Sequence, residues 1–134
     1  VLDGPTARGP DGDPRMLRQY QPVLIAWSDA SEDPDLGGSV LGTGGSGSIR
    51  VGVNGATRMY VTGAVHLNGP ALAAHSRDKV RAVLVHELGH VLGLDHVSDA
   101  TQLMYGEGSR VLSPGAGDRA GFRRLGQGPC VEAW

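Results

Sequence analysis

Apolar residues recur along this chain in several rhythms, and each rhythm predicts a different element. Val80, Leu84, Leu88, Val91 and Leu92 recur at helical spacing, which places one apolar arc on a helix over Arg77–Leu92. Ser76 stands before it as N-cap, and Asp78 lies in the first turn, where the helix dipole favours an acid. Val23-Leu24-Ile25-Ala26-Trp27 is a continuous β-prone run ended by polar residues, which suits a buried central strand. Ile49-Arg50-Val51-Gly52-Val53 alternates instead. With Asn54-Gly55 and Arg58-Met59-Tyr60-Val61 it reads as a hairpin on a type I′ turn. A strand from Ala64 to Asn68 continues after Gly63 through a bulge. Residues 106–117 predict a loop, and 118–125 a short closing helix with Phe122 and Leu125 inward and Gly126 as C-cap. The Gly/Pro-rich residues 1–20 and the stretch 128–134 read as irregular.

A length of 134 residues bounds one domain with a single core. Within 1–134 the irregular segment 1–20 leads to a sheet and helix over 21–92, then to a turn and closing helix over 93–134. The formal charge of −2 offers no basic stripe, so no nucleic-acid partner is expected. No apolar run approaches the ~18 residues of a membrane span, so no membrane partner is expected either. The chain carries no leader peptide, but a trimmed secreted precursor would look the same.

Two polar regions invite functional readings. Residues 37–55 hold eight glycines in 19 positions, among them Gly42-Thr43-Gly44-Gly45-Ser46-Gly47, a formal match to a dinucleotide fingerprint. That fingerprint needs a following helix and an acid about twenty residues on. A strand-like run follows and no acid occurs from 50 to 77, so the phosphate reading fails. Glycine here lets backbone approach backbone at a strand edge or tight turn. Residues 28–38 carry Asp29, Glu32, Asp33 and Asp35; Ca²⁺ could be held there, but without EF-hand spacing a solvated loop is the stronger reading.

The sharpest chemistry lies in residues 86–96, HELGHVLGLDH. His86 and His90, four apart on a helix, point the same way within about 40°. Two neutral imidazoles so placed can take two corners of a zinc tetrahedron. Glu87 stands beside the pair, where a general base for a metal-activated water belongs. Gly93 can take the positive φ that ends the helix and turns the chain back, letting His96 supply a third ligand. The fourth corner stays open, which separates a catalytic from a structural site. Five such positions match by accident in roughly one chain in 10⁴–10⁵, so satisfied core histidines are the weaker reading.

The pattern His-Glu-x-x-His-x-x-Gly-x-x-His, followed by Met104 in Gln102-Leu103-Met104-Tyr105-Gly106, resembles the metzincin zinc endopeptidases. Residues 86–105 are most similar to the matrixin branch, in its small bacterial secreted form. Looser similarity runs over about 36–126, through residues 40–44, GAVHLN at 63–68, Leu112-Ser113-Pro114 and 118–125. The resemblance implies an α+β fold: a twisted, mostly parallel sheet with an active-site helix and a C-terminal helix, here expected without the family's N-terminal strand and long helix. It implies one catalytic Zn²⁺ on His86, His90 and His96, Glu87 as base, and Met104 as an apolar floor beneath the metal. An extended peptide or protein substrate would pair with Val40, Leu41, Gly42, Thr43 and Gly44, with Tyr105 walling the cleft or lying in the core. The residue after the scissile bond would enter a pocket beside residues 106–114. Some metzincins use a tyrosine two places after the turn methionine; Gly106 stands there, so that device should be missing. A secreted, extracellular, monomeric enzyme follows from the likeness.

His66 matches a matrixin structural-zinc position, but no histidine precedes it in the chain, so no second zinc is expected and His66 reads as a strand side chain. His75 reads as a solvated loop residue. Cys130 is the only cysteine. Together with the missing N-terminal elements it suggests the C-terminal part of a longer catalytic domain, with one sheet face poorly covered. Two other functions compete with the protease: a zinc-holding but inactive binding module or fragment, and a zinc hydrolase acting on non-peptide substrates.

Overall fold

The computed structural model describes residues 22–125 except 52, 56 and 109, together with Gln127. The expectations for residues 1–20, for the Gly126 cap and for Cys130 fall outside these residues. Three strands, β1 (Leu24–Ser28), β2 (Gly42–Val51) and β3 (Thr57–Asn68), form a sheet in the order β1-β3-β2. Three helices follow: a single turn α1 (Gly69–Leu72), the long α2 (Arg77–Leu92) and the closing α3 (Ala116–Leu125).

The sheet is mixed, not mostly parallel as expected. β1 runs parallel to β3, with Ile25 beside Val65 and Trp27 beside Leu67. β2 runs antiparallel to it, from Gly42 beside Leu67 to Val51 beside Thr57. Only residues 52–56 join these two strands, too few to carry a crossover, so the chain must fold straight back. Asn54 (φ 60°) and Gly55 (φ 65°) both take left-handed conformations at that bend, the backbone their pairing as Asn-Gly favours. The bulge falls at Val61, not at Gly63: Gly47 pairs with Thr62 and Ser48 with Tyr60. The glycine run expected at an edge or turn lies within β2, an edge strand of the sheet.

Glycine at these positions sets how closely α2 approaches. A Cβ on Gly44 would lie 2.4 Å from the Glu87 carbonyl oxygen, one on Gly42 3.0 Å from Glu87 Cγ, and one on Gly63 2.6 Å from Val91 Cγ1. Helix backbone therefore sits directly on strand backbone at Gly44, and α2 side chains fill the space over Gly42 and Gly63. Val65, Leu67, Leu72, Val83 and Val91 form the core beside this contact, with Leu41, Val80, Leu84 and Leu88 packed on it. The apolar arc expected on α2 faces this core at Val80, Leu84, Leu88 and Val91 and is joined by Ala82 and Val83, while its last member, Leu92, is 55% exposed. Leu125 of α3 is also exposed, and that helix begins two residues earlier than expected.

The far end of the same face is only partly covered among the described residues. Val23, Ile25 and Trp27 are 45%, 51% and 62% exposed, because α2 lies over β2 and β3 and does not reach β1. A continuous apolar run thus forms a strand, as expected, but at the edge of the described sheet and half exposed, not central and buried.

Candidate metal centre and cleft

Helix α2 delivers the first two histidines, and its two ends explain their placement. Ser76 Oγ accepts the Lys79 amide at 3.3 Å and starts the helix. Gly93 (φ 106°) ends it: the Gly93 amide donates to His90 O and the Leu94 amide to Gly89 O, a closed double bond that only a left-handed residue permits. The chain then doubles back, and the Val97 amide donates to Met104 O, which tethers the segment carrying His96 to the turn carrying Met104.

The three imidazoles meet. His86 Nε2 and His90 Nε2 each lie 3.1 Å from His96 Nε2, and the ligand atoms of the trio fall within 4.8 Å of one another. A tetrahedral ion with bonds of 2.0–2.1 Å needs nitrogens about 3.3–3.4 Å apart, so the two separations to His96 lie close to what zinc requires. Orientation is fixed from behind. His86 Nδ1 donates to Leu103 O at 2.7 Å and His90 Nδ1 to Leu94 O at 2.9 Å, which leaves each Nε2 lone pair free for a metal. Burial pushes the His86 pKa down, partly offset by its bond to Leu103, and favours the neutral ring that a metal requires.

Glu87 lines the same cleft and is only 7% exposed. Burial pushes its carboxyl pKa up, opposed by the neighbouring His90. The cleft, of about 710 Å³, runs between residues 39–44 on one side and Tyr105 to Gly108 on the other, with the histidines and Glu87 at its base. Val40, Leu41, Gly42, Thr43 and Gly44 all border it, and so does Tyr105. The Tyr105 hydroxyl donates to Glu107 at 3.1 Å, and that bond raises its pKa. Gly106 has a steric reason: a Cβ there would lie 2.9 Å from His96 Nδ1. No tyrosine could stand at 106 without displacing the third histidine.

Met104 is 1% exposed and lies under the helix at Gly89, where a Cβ would meet its Sδ at 2.6 Å. Its turn is braced reciprocally with α3. Asp118 Oδ2 accepts the amides of Leu103 and Gly115, each at 2.6 Å, and Oδ1 accepts that of Met104 at 3.1 Å. Gln102 Oε1 in return accepts the Gly117 and Asp118 amides at the start of α3. Sequence reading missed both residues, since nothing local marks an acid fifteen residues from the amide it holds.

The acidic loop does not converge on a cation. Asp29 caps Ser31 and Glu32 amides, Glu32 accepts from Ser28 Oγ, and Asp33 turns to His66. Among the described residues the histidine trio is the group with metal-site geometry, so the calcium reading gains no support. His66, read as a plain strand side chain, bonds Asp33 Oδ2 through Nδ1 at 2.6 Å. Thr43 Oγ1 donates to the same oxygen at 3.4 Å. Asn68 Nδ2 donates to Leu36 O and Val40 O, so the loop is pinned where it feeds the cleft. His75 is exposed.

No characterised protein and no solved structure matches the chain. The family model described as matrixin does match, over residues 26–114. That span takes in the end of β1, the hairpin, all three histidines, Glu87 and Met104, and it covers well over half of the sequence. The chain belongs to the matrixin family.

Proposed function

We propose that this chain is a zinc-dependent endopeptidase in which His86, His90 and His96 hold the metal and Glu87 is the general base. One observation carries the reading: three oriented Nε2 atoms converge beside a buried carboxylate at the base of an open cleft. Zinc bound there supplies a Lewis acid that acidifies water and polarises a carbonyl. Glu87 takes the proton of the attacking water at its carboxylate and hands it to the departing amide nitrogen. Its burial suits both halves of that task, because a desolvated carboxylate binds a proton more strongly than an exposed one.

β2 lies at the sheet edge with β3 on its other side, so an extended peptide can pair along residues 40–44 and cross the histidines. The Val40 carbonyl is already engaged by Asn68, which leaves recognition to the groups that follow it. Met104 floors the site, and Tyr105 walls the cleft. The substrate is a peptide or protein, and the working form is a monomer. Matrixin membership supports action outside the cell, and no helix among the described residues is long and apolar enough to cross a membrane.

Glu87→Gln tests the reading. Zinc content should stay near one per chain by elemental analysis, while peptide cleavage falls by ~10²–10⁴-fold or more. Cleavage at the wild-type rate by Glu87→Gln would show that another group activates water. A wild-type chain that holds zinc yet cleaves no peptide would leave a binding module, and one that holds no zinc would refute the site.

A further inference from the structure

We infer that Asp118 is a positioning residue for His86, acting through a single peptide group. The inference rests on the reading of His86 as a metal ligand. Between Leu103 and Met104 lies one amide plane, and both of its polar ends are used. Its carbonyl, Leu103 O, accepts from His86 Nδ1 at 2.7 Å; its N–H, on Met104, donates to Asp118 Oδ1 at 3.1 Å. The order is therefore carboxylate, peptide, imidazole, with the imidazole's Nε2 facing the cleft.

Metal-bound histidines commonly donate their second nitrogen directly to a carboxylate, which fixes the ring and raises its basicity. Here the carboxylate stands one peptide further back. A negative charge at the N–H end polarises the amide and makes its oxygen a stronger acceptor, since hydrogen bonds in a chain reinforce one another. Asp118 suits the part. It is 3% exposed, and its three partners, the amides of Leu103, Met104 and Gly115, are all N–H donors, the set that an ionised carboxylate accepts. His90 supplies a built-in contrast, because its Nδ1 bonds Leu94 O, outside this relay.

The test compares zinc affinity, measured by chelator competition, in the wild-type chain, in Asp118→Asn and in Gln102→Ala. Gln102→Ala loosens the same junction of turn and α3 but leaves Asp118 in place. Asp118→Asn should weaken zinc by ~10–100-fold, and Gln102→Ala by less than about threefold. In the zinc-loaded protein the Nδ1 proton of His86 should move upfield in Asp118→Asn while that of His90 stays, a change that general loosening would not confine to one ring. Unchanged zinc affinity in Asp118→Asn, or equal weakening in Gln102→Ala, overturns the inference. Should Asp118→Asn not fold, replacing the Leu103–Met104 amide by an ester removes the central N–H and spares the other two Asp118 bonds. The same weakening is then expected, and unaltered affinity overturns it. A wild-type chain without zinc affinity would instead refute the metal site itself.

Discussion

The two ends of the sheet face the same side and are built in opposite ways. At the β2 end the residues beneath α2 are Gly42 and Gly44, and the helix rests on bare backbone. At the β1 end they are Ile25 and Trp27, large and apolar, and more than half of each stays exposed. Judged by hydrophobicity alone the coverage should be reversed. What decides it, on the proposed function, is distance: the histidines and Glu87 must stand within reach of a peptide paired to β2. Only a strand without side chains lets the helix come that close. The functional end is thus specified by what is missing from it, and the apolar end by side chains that could take a cover.

Substituting the contact glycines should break the first end, in proportion to what the new methyl meets. Gly44→Ala drives a Cβ into the Glu87 carbonyl at 2.4 Å. Backbone cannot step aside as a side chain can, so a loss of about 3 kcal/mol is expected by chemical denaturation. Peptide cleavage should fall with it, because α2 must lift with Glu87 aboard. A loss below about 0.5 kcal/mol would show that the helix is free to slide. Gly89→Ala is the milder case. Its Cβ meets Met104 Sδ and Cε at 2.6 and 3.0 Å, and a thioether can rotate away. About 1–2 kcal/mol is expected, with weaker zinc retention as the floor beneath the histidines shifts.

The underside of the covered end offers a pH test. The bond from His66 holds the Asp33 carboxyl below its ordinary pKa. A depressed acid stabilises the fold fully above its unfolded value of about 3.9, and the gain is lost as pH falls through the lower, folded value. Asp33→Asn should therefore cost ~1 kcal/mol at pH 7. Denaturation curves of the two proteins should draw together as pH drops below about 4. A gap that persists unchanged to the lowest pH would mean that the carboxylate's charge plays no part.

How legible each region was follows from how local its causes are. Helix α2 was readable to the residue, since its cap, its left-handed stop and the His86–His90 spacing all lie within one short segment. The Asn54-Gly55 bend was readable for the same reason. The make-up of the whole sheet was not: the family likeness suggested mostly parallel strands, whereas the hairpin read at Asn54-Gly55 makes β2 and β3 antiparallel and only β1 runs parallel. The arc on α2 was misjudged at Leu92 because an apolar pattern does not say how far the sheet extends beneath it. Asp118 and Asp33 were invisible as structural residues. Each acts on atoms more than a dozen positions away, and only the folded chain brings them together.

The partly covered end should respond least. Trp27→Thr removes a side chain that is 62% exposed and keeps a residue suited to strands. Little apolar area leaves water at this position in the folded state, so little stabilisation can be lost; a change within about 0.5 kcal/mol is expected, as for surface sites generally. The same substitution in a longer polypeptide whose added segment covers β1 should cost much more, because a buried aromatic typically contributes ~3 kcal/mol or more. Measured side by side, the difference would report directly on whether Val23, Ile25 and Trp27 form a docking face. A loss of several kcal/mol in the 134-residue chain itself would show that Trp27 is already packed in solution, and the contrast between the two ends of the sheet would fall.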